Sequence, residues 1–180
     1  MGTYSLLNRP IVIEDYDRSW PLLFEVEREM LCRHATIPFL QIEHIGSTSI
    51  PGLAAKPIID IALGIENLSN AKIYFSFLKE LGYLYVPEFE IQLPDRRFFW
   101  KGSQMKHTHH LHMCEPQGPT WTDPIIFRDF LRKNPKLALD YAGLKKELAR
   151  KFPTDLDEYI IGKSNFVSTV LQLAADISDR

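Results

Sequence analysis

Residues 42–60 read IEHIGSTSIPGLAAKPIID and predict a strand, a turn of small residues and a second strand. Gly46 lets the backbone approach a ligand closely, and Ser47 adds a hydroxyl beside the free N–H groups of a helix start, a combination that suits phosphate oxygens. Asp60 lies on the second strand, on the face opposite its large apolar residues, where a carboxylate has the chemistry of a Mg²⁺ ligand. Two readings stay open from these residues: a phosphate cradle, or a plain glycine turn with Asp60 bonded to neighbouring backbone.

On either side of this stretch, the spacing of apolar residues is in some segments that of a strand and in others that of a helix. Strands are predicted at 10–14, 39–45 and 57–65, with short extended pieces at 83–86, 96–101 and 109–115; helices are predicted at about 19–34, 69–81, 124–133, 135–151 and 155–175. The fold class expected is α+β, or an irregular α/β: a mixed sheet flanked by helices, followed by a carboxy-terminal helical bundle.

Composition narrows the class of protein. The chain has 180 residues, a net charge of −2 and a hydrophobic fraction of 45%, as in an ordinary globular protein. We expect one compact domain, 1–180, made of an amino-terminal strand and helix (1–35), a sheet region (36–118) and a helical region (119–180). The near-neutral charge argues against dedicated nucleic-acid binding, and no apolar run is long enough to cross a membrane. With two cysteines and no signal-peptide pattern, a cytoplasmic location is expected, while the oligomeric state stays open.

A histidine-rich segment, HTHHLHMCE, ends the sheet region at 107–115. On a strand, His110 and His112 point to one side, while Leu111 and Met113 point to the other. Such a pair can share an ion, act as acid and base near pH 7, or donate to a phosphate. The alternative is that both rings are merely solvated while Leu111 and Met113 face the core.

Positively charged side chains form a second set of candidates. They are Lys56 after the turn, Arg96, Arg97 and Lys101 around the FFW segment, and Lys163 within the apolar stripe of the last helix, with Lys145 raising the same question. Arginine and lysine suit phosphate, and the aromatic residues could stack on a base. Each could equally be a solvated surface charge or a lysine that extends its ammonium to water.

The chain resembles the GrpB family, which is grouped with the nucleotidyltransferase superfamily. The resemblance rests on EHIGSTSIPGLAAKPIIDI, HHLHMCE, FRDFLRKNP and YAGLKKELA, and extends from about residue 10 to the last helix. It implies a nucleotidyltransferase-like fold in which Gly46 and Ser47 hold a triphosphate and Asp60 binds Mg²⁺, and it favours His110 and His112 as catalytic residues that face the cleft with Asp60. From the positively charged set, we expect Lys56, Arg97, Lys101 and Lys163 to be phosphate ligands.

The sequence departs from the superfamily pattern at one position. The second metal-binding carboxylate of the D-x-D motif falls on Ala62, which leaves His110 and His112 as the first substitutes to consider, with Glu43 and Glu115 as further ones. The resemblance therefore implies a protein that binds a nucleotide or polyphosphate, with Mg²⁺-dependent nucleotidyl transfer to an unknown acceptor as its activity. The alternative is a nucleotide- or anion-binding accessory module with little or no turnover, linked to coenzyme A metabolism.

Overall fold

The computed structural model describes residues 9–178. The first eight and the last two residues, which belong to the predicted regions 1–35 and 119–180, lie outside the described residues. The described helices are α1 Trp20–His34, α2 Phe75–Glu80, α3 Pro119–Lys133, α4 Pro135–Lys151 and α5 Leu156–Ser178, and the strands are β1 Gln41–Ile45, β2 Ile59–Gly64, β3 Tyr83–Tyr85, β4 Arg97–Gly102 and β5 His107–Cys114.

The five strands form one mixed sheet in the order β1-β2-β5-β4-β3. The central strands β2 and β5 are parallel, and the other neighbouring pairs are antiparallel. In the parallel pair, Asp60 lies opposite His110 and Ala62 lies opposite His112. The register therefore puts the candidate carboxylate and both histidines on one face of the sheet.

Helices cover the two faces differently. On one face, α1 and α2 pack on a core that contains Leu31, Ile61, Phe77 and Leu111, because the odd-numbered positions of β2, and those of β5 from Leu111 onward, are apolar. On the other face, α3, α4 and α5 pack against one another around Tyr141 and neighbouring apolar residues. The α+β class and the carboxy-terminal helical bundle are confirmed, whereas the single-domain assignment stays a prediction.

Three element boundaries differ from the sequence prediction. Residues 10–14 form only an isolated antiparallel bridge, in which Glu14 exchanges both backbone hydrogen bonds with Ala55, so the predicted strand is wrong. Helix α3 begins at Pro119, after Gly118, rather than at Pro124, which lies inside it. The predicted helix at 69–81 starts as a 3₁₀ helix, Leu68–Tyr74, with Asn67 as its cap, before α2.

One further structural point concerns membranes. Within residues 9–178, none of the helices combines the length and the apolar character that crossing a bilayer requires.

Candidate functional site

A cleft of about 560 Å³ lies between the sheet and the helical bundle. Its walls come from the turn after β1, from β2, β4 and β5, and from α3, α4 and α5. The polar side chains that line it are Arg9, Ser47, Thr48, Lys56, Asp60, Arg96, His110, His112, Asp123, Tyr141, Lys145, Tyr159 and Lys163. Of the residues predicted to share a site, the structure brings together Gly46, Ser47, Lys56, Asp60, His110, His112 and Lys163.

The turn that follows β1 sets one edge of this cleft. Gly46 has φ 69° and ψ −174°, a backbone conformation that is essentially reserved for glycine, and a 3₁₀ helix, Ser47–Ser49, follows it. A Cβ atom at Gly46 would overlap Oδ2 of Asp60. Glycine is therefore required here both by the backbone angles and by the close approach of the turn to the carboxylate.

Hydrogen bonds with neighbouring segments hold the same turn in place. Burial lowers the pKa of His44 to about 4, so its ring is neutral at pH 7. Nε2 of His44 lies 3.0 Å from Oγ1 of Thr48, which in turn donates to the carbonyl of Ile58 at 3.2 Å. Arg132 donates to the carbonyl of Ser49 at 2.7 Å. These bonds tie the turn to β2 and α3 and leave the Ser47 side facing the cleft.

Asp60 lies beside two imidazoles. Its Oδ1 is 3.3 Å from Nδ1 of His110 and 3.7 Å from Nε2 of His112, and the longer contact is beyond hydrogen-bond length. Burial opposes ionisation of the carboxyl, but the two histidines lower the pKa of Asp60 below its usual range. Burial also lowers the pKa of His110, and that of His112 to about 4, so the site at neutral pH holds a carboxylate and two neutral rings.

A third histidine extends this cluster. A carboxylate only accepts, so the neutral His110 presents Nδ1–H to Asp60, and its Nε2 then accepts from Nδ1–H of His107 at 2.9 Å. The His107 ring stacks on Trp100 with centroids 4.1 Å apart and an interplanar angle of 7°. Among the residues the structure describes, Nε2 of His107 is buried and has no hydrogen-bond partner. The ionised Asp60 therefore determines the tautomers of both His110 and His107.

The positive charge of the cleft is unbalanced. Five cationic side chains line it, namely Arg9, Lys56, Arg96, Lys145 and Lys163, against two acidic ones, Asp60 and Asp123. Within residues 9–178, none of the five cations forms an ion pair with a carboxylate, although eleven ion pairs exist elsewhere or at Asp60. Cations that are gathered without carboxylate partners form a site for an anion.

Three of these lysines form cation–π contacts with the rings of two tyrosines. The ammonium groups of Lys163 and Lys56 lie 4.4 Å and 5.3 Å from the centre of the Tyr159 ring. Lys145 lies 4.7 Å from the ring centre of Tyr141 and donates to the carbonyl of Ala54. Burial, followed by the charge of neighbouring lysines, lowers the pKa of Lys145 to about 7 and that of Lys163 to about 8. The lysines are thus held close together at a cost that a bound anion would relieve.

Two predicted phosphate ligands lie on the wrong face of the sheet. Arg97 forms an ion pair with Glu90 at 3.0 Å, and Lys101 binds both carboxylate oxygens of the buried Glu27 at 2.9 Å under α1. The reason is strand alternation: Arg97 and Lys101 share a face with Phe99, whereas Phe98 faces the cleft. The placement of Arg97 and Lys101 in the site is therefore corrected.

Three cationic cleft residues were missed or undervalued by sequence reasoning. Arg9 precedes the first predicted element and carried no signal. Arg96 was grouped with Arg97, although the alternation of β4 separates them, and its Nε is buried without a partner among the described residues. Lys145 is only 2% exposed, and its position one helical turn after Tyr141 was the available signal.

Among the described residues, the side chains around Asp60 fit a Mg²⁺ ion poorly. Glu43 is engaged by Arg128 at 2.7 Å and Glu115 accepts from the backbone N–H of Leu68 at 2.8 Å, so neither replaces the carboxylate missing at Ala62. Across residues 9–178 no group of three or more His, Cys, Asp or Glu side chains is arranged to hold a metal ion. One carboxylate among cations is a poor donor set for Mg²⁺, which prefers oxygen ligands, so Mg²⁺ dependence stays a prediction.

Comparison with known proteins gives consistent similarities. The family model described as GrpB protein matches residues 10–173. The chain is 36% identical to glutamate-rich protein GrpB of Alkalihalophilus pseudofirmus, over 89% of this chain and 94% of that protein. It is 38% identical to UPF0157 protein YqkA of Bacillus subtilis, over 89% of this chain but only 46% of that longer protein.

Two further similarities bear on fold and on distant relatives. A crystal structure of conserved protein GrpB from Enterococcus faecalis aligns with a TM-score of 0.83 and 34% identity, covering 94% of this chain and all of that one. A protein named dephospho-CoA kinase, from Mycolicibacterium paratuberculosis, is 24% identical over 99% of this chain and 49% of its own length.

Proposed function

The chain belongs to the GrpB family, and we propose that its cleft binds the phosphate groups of a nucleotide or another polyphosphate. One observation carries the proposal: five cationic side chains line the cleft and none has a carboxylate partner among the described residues. Lys145 is buried and the other four are half-buried, and a charge that is removed from water without a partner is costly. A ligand that brings several negative charges supplies the missing partners.

The remaining walls suit the other parts of a nucleotide. The Ser47 hydroxyl lies at the turn edge beside Tyr141 and can donate to a phosphate oxygen. Phe89 and Phe98 line the cleft beside Arg96, with ring centroids 5.0 Å apart, and offer an apolar surface on which a base can stack. Placement in the nucleotidyltransferase superfamily is part of this proposal, and it rests on Gly46, Ser47 and Asp60 lying together.

Nucleotidyl transfer is the second candidate function, favoured by the position of Asp60, His110 and His112 in the same cleft. A chemical step assisted by two metal ions needs more than one carboxylate, and Ala62 supplies none. We therefore expect binding to be readily detected and the release of pyrophosphate to be slow or absent. The alternative, an accessory module linked to coenzyme A metabolism, is supported by the similarity to the protein named dephospho-CoA kinase.

Isothermal titration calorimetry with inorganic tripolyphosphate and with ATP, each with and without Mg²⁺, tests the proposal. We expect binding without metal, and a loss of at least tenfold in affinity in the double variant Lys56→Gln/Lys163→Gln, because two unpaired ammonium groups are removed. Lys136→Gln, an exposed lysine of α4, is the matched control and should bind as the wild type does. The proposal is refuted if tripolyphosphate and all common nucleoside triphosphates fail to bind.

A further inference from the structure

A second cavity, of about 280 Å³, adjoins the cleft. The two share the side chains of Arg9, Lys56, Ile58, His110 and Leu156, so each of these residues stands at the junction. The second cavity is smaller than the roughly 300–1,000 Å³ of most ligand sites. Its size and position indicate that it receives one branch of the ligand held in the cleft rather than a separate molecule.

The second cavity has an apolar part and a polar part. Its apolar lining is Pro10, Ile11, Val12, Pro57 and Met105 with the shared Ile58 and Leu156, and its polar lining is Glu14, Lys106 and His107 with the shared Arg9, Lys56 and His110. Val12 is 53% exposed and Met105 is 69% exposed, although both are large apolar side chains. An apolar group that enters the cavity would remove part of both surfaces from water, which is favourable.

The charges at the junction of the cleft and the second cavity indicate which chemical group of the ligand lies there. Arg9 and Lys56 are cations without a carboxylate partner in the described structure, and each borders both cavities. A phosphate at this point would be attracted by both cations, with further phosphates in the cleft, which Lys163 lines, and a substituent in the second cavity, which Met105 lines.

From this juxtaposition we infer that the ligand is a nucleotide whose terminal phosphate is esterified to an aliphatic group, with that group lying in the second cavity. The inference rests on the proposed function, since the phosphates must first be held in the cleft. It adds a substrate class that a free nucleoside triphosphate does not satisfy, because such a molecule leaves the second cavity and its apolar lining empty.

Two synthetic probes isolate the aliphatic contribution: the methyl and the n-hexyl esters of ADP at the β-phosphate. Their charges are equal, so any difference in affinity comes from the added methylenes. Complete burial of one methylene is worth about fourfold in affinity, and partial burial less. We expect the hexyl ester to bind at least about tenfold more tightly than the methyl ester, measured by calorimetry.

Variants locate the effect. Val12→Thr/Met105→Gln keeps the shape of two exposed side chains while making them polar, so it should fold, and it should bring the hexyl ester to the affinity of the methyl ester without changing the latter. Leu139→Gln, a similarly exposed residue of α4 outside both cavities, should leave both affinities unchanged.

The outcomes separate this inference from the proposed function. Equal affinities of the two esters in the wild-type protein overturn the inference and leave the cleft proposal intact. An advantage of the hexyl ester that persists in Val12→Thr/Met105→Gln also overturns it, because the chain then lies elsewhere. If neither ester, ADP nor tripolyphosphate binds, the proposed function itself fails and the inference falls with it.

Discussion

Replacing Gly46 by alanine should damage both the stability of the protein and its phosphate site. Gly46 has a positive φ, and its added Cβ would overlap the carboxylate of Asp60. Gly52, six residues later, also has a positive φ, of 80°, but a Cβ there meets nothing within 4 Å. Gly52→Ala is thus a matched control, which carries the backbone strain without the collision.

The two costs can be separated. Alanine at a positive φ costs about 1–2 kcal/mol, and removing a glycine from the unfolded chain returns about 0.4–1 kcal/mol, so Gly52→Ala should lower the free energy of unfolding by about 1 kcal/mol. At Gly46 the conformation is more restricted, at about 1–3 kcal/mol, and forcing Asp60 aside adds about 1–3 kcal/mol. With the same return of about 0.4–1 kcal/mol from the unfolded chain, the expected loss for Gly46→Ala is about 1–5 kcal/mol, with a central value of about 3 kcal/mol.

Urea denaturation followed by circular dichroism measures both variants against the wild type. With slopes of about 1–3 kcal/mol per molar urea, the two midpoints should differ by about 1 M at the central values. Tripolyphosphate binding should be retained in Gly52→Ala and weakened in Gly46→Ala, because Asp60 and the turn move together. Equal stabilities and equal binding of the two variants would refute the proposed contact between Gly46 and Asp60.

Three other predictions address charge. Lys145 has a folded-state pKa of about 7, below its ordinary value, so the unfolded chain binds more protons above pH 7 and stability should rise with pH between 7 and 9. The slope should reach about 1.4 kcal/mol per pH unit at most, and urea titrations of Lys145→Met should give a flatter profile than those of Lys136→Met. Lys101→Met should cost about 3–5 kcal/mol in thermal or urea unfolding, because Glu27 is left buried without its ammonium partner, while tripolyphosphate affinity stays unchanged; a loss of affinity would return Lys101 to the site. Asp60→Asn should retain or strengthen metal-free tripolyphosphate binding in calorimetry and abolish any enhancement by Mg²⁺; loss of the metal-free binding would contradict a purely cationic site.

Local sequence patterns predicted the strands that carry the site. Alternation on β2 and β5 put Asp60, His110 and His112 on one face of each strand, and the structure brings those faces together. The same rule, applied to β4, puts Arg97 and Lys101 on the face opposite Phe98, so assigning both to the phosphate site by charge alone is wrong. Periodicity is therefore informative about the face of a residue even where residue type suggests a shared role.

The contributions from distant parts of the chain were harder to predict. Whether Lys145 and Lys163 enter the cleft or reach water depends on how α4 and α5 pack across the sheet, which no local pattern specifies. The isolated bridge of Glu14 to Ala55 depends likewise on the path of the chain. Arg9 lies in a segment without periodicity, so its position at the junction of the two cavities could only come from the structure.

The stacking of His107 on Trp100 gives the protein a built-in optical reporter of its cleft. An imidazolium quenches the fluorescence of an adjacent indole, whereas a neutral ring quenches it little. Burial lowers the pKa of His107 to about 3, so the indole of Trp100 should be bright at pH 7. A ligand whose binding leads to protonation of His107, through its hydrogen bond to His110 and the contact of His110 with Asp60, would lower the fluorescence of Trp100. Ligand binding could then be followed in real time without a label. The variant Trp100→Phe would show the emission of Trp20 and Trp121 alone, which is the background to subtract.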